Sequence, residues 1–242
     1  MRTMQRMAVV LMLAVVAGAS AGDISNKSFT SASPRGDGTW APADWSVALT
    51  PEDDISLARQ DVLTSYAGSL NVLACRASNT YAWDDEEGYW MLDQDDYSTV
   101  NVYQMLIDVP AGAKELQFNA AAYYEGAEFA GQWPGGQPTA VVTLVYGRTT
   151  FGFGVLPLVI ADSDFSVVRT IPLPEDFDPG QTVQVKVMVT SEIDGYEDNK
   201  ARDAARTITA TGYFDNFAFA VPEPVTLATL LVGGLALLRR RR

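Results

Sequence analysis

The 242-residue sequence contains no histidine, a single cysteine and only 17 basic residues. Without histidine there can be no Ser-His-Asp triad, no Cys-His pair and no zinc site built on imidazole. The lone Cys75 has no partner for an internal disulfide, and no histidine or basic cluster stands beside it to make it reactive. Most familiar catalytic centres are therefore excluded, while 48% hydrophobic residues and 10% aromatics predict a folded chain with a sizeable core.

The shortage of basic residues gives a formal net charge of −13, and arginines at the chain ends hide part of the imbalance. Six of the 17 basic residues are Arg2, Arg6 and the last four residues, so the rest of the chain has 11 basic against 30 acidic residues, or −19. Such a surface repels phosphate backbones and anionic lipid headgroups. The composition argues against nucleic acid as a partner and leaves divalent cations as ligands to consider.

Residues 1–21 have the three parts of a secretory signal. Two arginines precede an apolar run from Met7 to Ala17, and the small residues Ala19-Ser20-Ala21 follow it. We expect an N-terminal signal helix that signal peptidase removes before Gly22. No cysteine follows the cleavage position, which excludes a lipoprotein anchor there.

Residues 221–242 have a second set of address features. Their order is Pro222, Glu223 and Pro224, then an uncharged stretch from Val225 to Leu238, then Arg239, Arg240, Arg241 and Arg242. As a helix the stretch would span about 21 Å at roughly 1.5 Å per residue, short of the ~30 Å hydrocarbon core. The arginines can snorkel and hold the cytoplasmic side, so we expect this short helix to insert in the inner membrane with the body outside.

This order of proline-glutamate-proline, short hydrophobic helix and terminal arginines resembles the PEP-CTERM sorting signal of Gram-negative-type bacteria. The resemblance implies an exosortase, a membrane-embedded cysteine-protease-like transpeptidase, as the partner that processes the tail, often in organisms that make exopolysaccharide or biofilm matrix. It also implies transient anchoring in the inner membrane, then release or attachment at the cell surface. The alternative is an ordinary single-span anchor, which explains neither the Pro-Glu-Pro nor the shortness.

Between these segments, residues 22–220 alternate between apolar and polar side chains over many short runs. Alternation predicts strands over Val100–Val109, Leu116–Tyr124, Thr139–Tyr146, Val167–Leu173 and Thr182–Ser191, with shorter ones over Trp45–Leu49, Leu70–Ala77, Gly88–Leu92 and Thr207–Phe219. Only Pro51–Gln60 and Glu197–Arg206 have patterns that fit short helical turns. We therefore predict one all-β domain, an antiparallel two-sheet β-sandwich of jelly-roll type.

The two ends of this body carry a second resemblance. Its residues are Asn26, Ser28, Phe29, Trp40 and Trp45 at the start and GYFDNFAF, Gly212–Phe219, at the finish. They resemble the opening and closing strands of carbohydrate-binding-module and galactose-binding-like jelly rolls, where these two strands are neighbours. The resemblance implies an extracellular polysaccharide as ligand and a structural calcium at Asp215, although Thr30 stands where the family has glutamate. The two tryptophans are expected in the core or at its edge.

Acidic clusters and two tryptophans are candidate sites within the body. The clusters are Asp84–Glu87, Asp93 with Asp95 and Asp96, Asp162 with Asp164, and Glu175 with Asp176 and Asp178. Calcium takes six to eight oxygens, but none of the clusters has EF-hand spacing, and solvated loops explain them as well. Trp83 and Trp133 lie in turn-rich segments where a ring is hard to bury. We take both as candidate carbohydrate contacts, the alternative being rings that cover a loop.

One pattern suggests catalysis. Glu192-x-Asp194-x-x-Glu197 resembles the active-site strand of retaining β-glucan hydrolases, whose outer carboxylates lie about 5–5.5 Å apart. Gly195 replaces the expected aliphatic residue, and Asp198-Asn199-Lys200 follow, which favours a polar loop. The prediction is a non-enzymatic protein, with a secreted glycan hydrolase using Glu192 and Glu197 as the alternative.

Together these patterns predict an exported, exosortase-sorted protein of the cell surface or extracellular matrix. Its body is a candidate carbohydrate-binding module with calcium as the one cofactor to consider. An acidic body favours a neutral or calcium-bridged glycan over an acidic polymer bound directly. Like charges repel strongly until they lie beyond a Debye length of ~8 Å at physiological salt.

Overall fold

The computed structural model describes residues 24–52, 54–86, 88–93, 97–126, 138–147, 153–178, 181–192 and 206–221. The signal segment 1–21 and all of the sorting segment 221–242 except Val221 lie outside these ranges, so both flanking helices stay predictions. Within the described ranges every regular element is a β-strand. No helix in them is long and apolar enough to cross a membrane.

Thirteen strands occur in the described residues. They are β1 (Ala32–Pro34), β2 (Trp40–Pro42), β3 (Ser46–Thr50), β4 (Ala58–Tyr66), β5 (Ser69–Asp84), β6 (Tyr89–Leu92), β7 (Thr99–Asp108), β8 (Glu115–Glu125), β9 (Thr139–Gly147), β10 (Phe153–Val159), β11 (Val168–Pro172), β12 (Thr182–Thr190) and β13 (Arg206–Ala220).

Eleven of these strands form two sheets. The five-stranded sheet has the order β10-β9-β12-β7-β3, and the six-stranded sheet has the order β11-β8-β13-β5-β4 with β6 paired to β5. A separate ribbon joins β1 to β2, and every pair is antiparallel. The predicted antiparallel two-sheet sandwich is confirmed.

The core lies between the two sheets because one face of each strand is apolar. On β12 the alternate residues Val183, Val185, Val187 and Val189 are all buried, which is the period of two that a half-buried strand requires. Cys75 lies in the same core, and burial raises the pKa of its thiol, so the group remains protonated and acts as a small hydrophobe.

The segment before β1 packs against the closing strand, as the second resemblance implies. The Phe29 ring centroid is 5.4 Å from Trp45 and 6.2 Å from Phe217, and Phe217 stacks on Phe118 at 5.2 Å. Phe29 directly follows a turn over residues 25–28 and lies in no strand. Trp45 is buried in this cluster as expected, whereas Trp40 on β2 is 46% exposed.

The short helical turn expected over Pro51–Gln60 is present in its middle, where the N–H groups of Leu57 and Ala58 donate to the Asp54 carbonyl at 3.1 and 3.0 Å, but a strand replaces it at its end. Turns end at residue 57, and β4 begins at Ala58. The polar Gln60 hides the alternation, because it points into the core and is fully buried, with its Nε2 donating to the Trp40 carbonyl at 3.0 Å. Of the other expected turn segment, Glu197–Arg206, only Arg206 is described, and it begins β13. Strand β10, Phe153–Val159, was likewise not predicted from the sequence.

Gly212 on β13 marks a close approach of the two sheets. A Cβ at this position would lie 2.6 Å from the Phe214 ring and 3.0 Å from Cγ2 of Val189, which belongs to β12 in the opposite sheet. A Cβ contact of 2.6 Å essentially never occurs in proteins, and one of 3.0 Å requires the neighbouring group to shift. The missing side chain therefore lets β13 pack directly on β12.

We expect Gly212→Ala to destabilise the fold by about 1–3 kcal/mol, the usual cost of overpacking a filled core. Urea denaturation followed by tryptophan fluorescence measures the change. Gly147→Ala is the matched control, since a Cβ there meets nothing within 4 Å, and its midpoint should stay close to that of the unmodified chain. An equal midpoint for both variants would contradict the close approach.

Candidate functional site

The five-stranded sheet is nearly free of charge in a strongly acidic chain. Its five strands carry only two charged side chains, Lys186 and Asp108. The strands of the six-stranded sheet carry nine, five of them acidic. The strands of this sheet thus carry a single acidic residue, Asp108, which lies at the end of β7.

Part of the outward surface of this sheet is an ordered row of polar side chains. Ser46 of β3 stands opposite Tyr103 of β7, Tyr103 opposite Lys186 of β12, and Lys186 opposite Thr143 of β9. Neighbouring strands lie about 4.8 Å apart, so this row extends for roughly 14 Å. We call the outward residues Ser46, Asn101, Tyr103, Thr143, Gln184 and Lys186 the neutral face.

A β-bulge interrupts β7 at one end of the neutral face. Gln104 pairs with Val185 and Ile107 with Val183, so two residues of β7 oppose one of β12. Leu106 adopts φ 57°, an uncommon conformation for a bulky residue. The extra residue shifts the alternation by one, which turns Met105 (59% exposed) and Leu106 (75% exposed) to solvent and Ile107 back to the core.

Beside the bulge lies a cleft of about 470 Å³. Its lining residues are Ser25, Asp44, Ser46, Tyr103, Gln104, Met105, Leu106, Ile107 and Asp108. The volume falls within the roughly 300–1,000 Å³ that small-molecule sites occupy. Tyr103 and Ser46 belong to both cleft and neutral face, so the two are continuous.

Gln104 fixes the floor of the cleft. Its Oε1 accepts from the Ser25 N–H at 3.1 Å, and its Nε2 donates to the carbonyls of Asp44 at 3.1 Å and Ser25 at 3.4 Å. The Trp45 indole N–H also donates to the Ser25 carbonyl at 3.1 Å. Two loops are therefore held against β7 by a nearly buried amide, which makes the cleft a preformed feature.

The cleft and the neutral face combine three kinds of groups. Asp44 and Asp108 are exposed carboxylates that accept hydrogen bonds, and Ser46 with the amides of the neutral face can both donate and accept. Met105, Leu106 and the Tyr103 ring offer apolar surface. Such a mixture suits a ligand that is rich in hydroxyl groups and has C–H faces. The site can bind and orient such a ligand.

Most predicted site residues lie elsewhere. Trp83 is half-buried near the end of β5, opposite Trp90 in the β5–β6 hairpin, and thus belongs to the other sheet. Trp133 and the sorting residues Pro222 to Pro224 and Arg239 to Arg242 lie outside the described residues. Their roles stay predictions.

The hydrolase alternative rests on two residues of which one is described. Glu192 is exposed directly after β12, and its N–H donates to Thr190 Oγ1 at 3.1 Å. Glu197 lies outside the described residues. The distance between the two carboxylates is therefore not defined, and the hydrolase alternative stays a prediction.

Many acidic residues of the loops bind their own backbone. Five aspartates accept a hydrogen bond from the N–H two residues further along the chain: Asp37, Asp54, Asp84, Asp162 and Asp164. This is the Asx-turn arrangement. Bonds from Ser56 and Ser166 lower the pKa of Asp54 and Asp164, and an ion pair with Arg169 lowers that of Asp162. In the described ranges no three acidic or thiol side chains are grouped so that they could hold a metal ion.

Asp215, the predicted calcium residue, lies in a second bulge. The pairing of β13 with β8 shifts between Asp215 and Ala218, and Asn216 adopts φ 57°. Asp215 is 2% exposed, and burial raises the pKa of its carboxyl to about 6, although its Oδ1 accepts from the Asn216 N–H at 2.8 Å. The bulge turns Phe217 into the core, which gives Asp215 and Asn216 a structural role. Calcium at Asp215 stays a prediction.

Tyr103, Gln104, Met105, Leu106 and Asp108 were not predicted as site residues. Their signal in the sequence is weak but present, because Met105-Leu106-Ile107 is a run of three apolar residues inside an alternating strand. Such a run indicates a change of phase. It does not show which loop comes to lie beside the bulge.

No protein-family model and no curated protein matches the chain. Among solved structures it is similar to the carbohydrate-binding module TmCBM61 in complex with β-1,4-galactotriose, with 12% identity, 84% of this chain and 99% of that chain covered, and TM-score 0.39. It is also similar to a carbohydrate-binding module of the β-sandwich superfamily, with 17% identity, 84% of this chain and 64% of that chain covered, and TM-score 0.40. A third similar structure is the family 11 carbohydrate-binding module of the cellulase Lic26A-Cel5E of Clostridium thermocellum, with 10% identity, 84% of this chain and 96% of that chain covered, and TM-score 0.38. These likenesses concern the β-sandwich fold and leave the ligand open.

We expect Asp215 to make stability depend on pH. Because its pKa is raised from 3.8 to about 6, the folded state binds the proton more tightly, and stability falls as pH rises from about 4 to 6. Asp215→Asn keeps a hydrogen-bond acceptor without the charge. It should raise the free energy of unfolding at pH 7 by on the order of 1–2 kcal/mol, after allowance for solvent screening.

Denaturation midpoints between pH 4 and 8 measure this effect. Asp54→Asn is the control, because its pKa is lowered and the substitution should bring no gain at pH 7. A loss of stability in Asp215→Asn at pH 7 would contradict the prediction, because it would mean that the charged carboxylate stabilises the fold.

Proposed function

We propose that this chain is an exported, exosortase-sorted surface or matrix protein whose jelly-roll body binds a neutral carbohydrate. One observation carries the binding proposal. In a chain with 30 acidic residues, the strands of one sheet carry a single acidic residue, Asp108, and their outward surface presents a row of hydroxyl, amide and tyrosine side chains. Protein solubility does not require a face of this kind.

The ligand chemistry follows from the groups that meet at the cleft. Sugar hydroxyls donate to the carboxylates of Asp44 and Asp108 and exchange hydrogen bonds with Ser46. The C–H faces of a pyranose lie against the Tyr103 ring and the exposed side chains of Met105 and Leu106. A neutral ligand carries no charge for the acidic body to repel.

The continuous row of the neutral face favours a chain over a single sugar. It runs across four strands from Ser46 to Thr143, whereas the cleft lies at one end of it. A chain end in the cleft would continue over Tyr103 toward Lys186. We therefore propose an oligosaccharide segment of extracellular polysaccharide as the ligand.

Delivery to the outside is proposed from the chain ends. The signal pattern of residues 1–21 would start export, and Pro222-Glu223-Pro224 with the terminal arginines would direct sorting and orientation in the inner membrane. An extracellular polysaccharide ligand fits that destination.

The binding test is calorimetry on the full-length chain in mild detergent with neutral oligosaccharides first selected on a glycan array. Tyr103→Ala should lower affinity roughly tenfold, since an aromatic contact of this kind contributes about 1 kcal/mol or more. Tyr103→Phe should keep most of the binding. Tyr123→Ala is the matched control, an exposed tyrosine on the opposite sheet, and should leave affinity unchanged.

Equal effects of Tyr103→Ala and Tyr123→Ala would contradict the neutral face as the site. Trp83→Ala and Trp133→Ala, measured in calcium and in chelator, test the two tryptophans predicted from sequence. Hydrolysis of the oligosaccharide during titration would instead favour the enzyme alternative with Glu192 and Glu197.

The sorting proposal predicts the mass of the mature protein. Intact-mass spectrometry of protein isolated from the producing cells should show a chain that begins at Gly22 and has lost the terminal arginines near Pro222-Glu223-Pro224. A mature form that begins at Met1 or retains Arg239 to Arg242 would contradict it.

A further inference from the structure

The outward surface of the six-stranded sheet has a second depression, of about 200 Å³. It is lined by Arg59 and Asp61 of β4, Ala74 and Arg76 of β5, and Thr211 and Tyr213 of β13, together with Leu63 and Cys75. We call it the arginine groove. We propose that it binds the carboxylate of a uronic-acid residue in an acidic polysaccharide, at a site separate from the neutral face.

Strand pairing explains the shape of the groove. Arg59, Arg76 and Thr211 stand side by side in one row across the sheet. In the next row Ala74 stands between Asp61 and Tyr213. Small side chains at 74 and 211 thus leave a shallow floor between the long arginines and the tyrosine ring.

The groove carries more positive than negative charge. Two like charges directly opposite each other destabilise a sheet, yet Arg59 and Arg76 occupy such a pair. Arg59 is paired, since its Nη2 donates to Asp61 Oδ2 at 3.1 Å. In the described part of the chain no carboxylate pairs with Arg76, which is exposed. One guanidinium is therefore left for a ligand.

Asp61 is occupied by the protein itself. Its Oδ1 accepts from the N–H groups of Trp40 at 2.9 Å and Val62 at 2.8 Å, and its Oδ2 accepts from Arg59. These bonds hold Asp61 in place and orient Arg59 along the rim. Asp61 thus balances one arginine and leaves the second free to receive a carboxylate.

The opposite wall is a rigid group of aromatic rings. Tyr213 stacks on Tyr66 with centroids 3.9 Å apart, and Tyr66 meets Phe165 edge-on at 5.2 Å. Tyr66 donates its hydroxyl hydrogen to the Tyr123 hydroxyl at 2.7 Å. Burial raises the pKa of Tyr66 and Tyr213, so both stay neutral. The wall is apolar and does not repel an anion.

This arrangement fits a sugar acid better than a simple anion. A planar guanidinium binds a carboxylate through two parallel hydrogen bonds. The floor and the tyrosine wall provide the apolar surface on which a pyranose ring packs. A volume of about 200 Å³ is below the roughly 300–1,000 Å³ of small-molecule sites, so one residue of a longer chain is accommodated.

The net charge of the body disfavours an acidic polymer bound directly, but charges close to a ligand act more strongly than distant ones. Its long-range repulsion is screened beyond a Debye length of ~8 Å at physiological salt. Apart from Asp61, the nearest outward-facing acidic residue on the strands of this sheet is Glu125, which pairing places one row away and two strands over from Arg76. By strand geometry that is roughly 12 Å. The local field at Arg76 is therefore set by the two guanidiniums and by Asp61, whose charge is balanced by Arg59.

The test is calorimetry on the full-length chain with three ligands, all measured in the presence of a chelator. They are trigalacturonate, the same trisaccharide after its carboxyls are reduced to hydroxymethyl groups, and a trisaccharide that carries sulfate in place of carboxylate. Trigalacturonate should bind at least tenfold more tightly than its reduced form, and less tightly as salt is raised. Arg76→Gln should lower the affinity about tenfold or more, and Arg76→Lys should lower it less. Lys114→Gln removes one positive charge from an exposed loop that lines neither the cleft nor the groove, and it should change the affinity less than twofold.

Several outcomes would overturn the proposal. These are no binding of trigalacturonate, equal binding of the reduced form, tighter binding of the sulfated sugar, and an equal effect of Arg76→Gln and Lys114→Gln. Binding of trigalacturonate only after calcium is added would also overturn it. An unchanged denaturation midpoint in Arg76→Gln shows that the loss is local. Binding of neutral oligosaccharides should persist in Arg76→Gln, so failure of this proposal is distinct from failure of the neutral face.

Discussion

Side chains on a β-strand alternate between its two faces, and in this sandwich two strands change phase part-way along. In β7 the bulge at Met105-Leu106 sends two consecutive apolar residues to solvent and returns Ile107 to the core. In β13 the bulge at Asp215-Asn216 returns Phe217 to the core. A regular strand would bury Leu106 and expose Phe217. The cleft and the closing aromatic cluster both depend on these phase changes.

The aromatic cluster and the cleft are also joined directly. Phe217, positioned by its bulge, packs against Phe29 and Trp45. The Trp45 indole bonds to Ser25, which in turn bonds to Gln104 on the floor of the cleft. The same packing that closes the sandwich therefore holds the loop beside the cleft. This gives the proposed ligand a surface that needs little ordering on binding.

Charge is distributed by location rather than spread evenly. Aspartates in turns are used to bind their own backbone, as at Asp54 and Asp164, and their negative charge remains in solvent. The neutral face has Lys186 as its only charged group, and the arginine groove has the pair of Arg59 and Arg76. The two outward surfaces of one sandwich thus differ in the charge of the ligands they suit. A net charge for the whole chain conceals this difference, because field strength near a site depends on the nearest groups.

The sequence alone determined the all-β sandwich and most of its strands, because burial on one side imposes a period of two, as in Val183 to Val189. It also indicated that Phe29 and Phe217 belong to adjoining segments. Tertiary structure alone decided that Gln60 is buried, that the Met105-Leu106 bulge lies beside Ser25, and that Arg59 faces Arg76. Alternation is a local consequence of backbone geometry and is written into neighbouring residues. Which distant strands become neighbours depends on the packing of the whole chain, and these sites exist only where such strands meet.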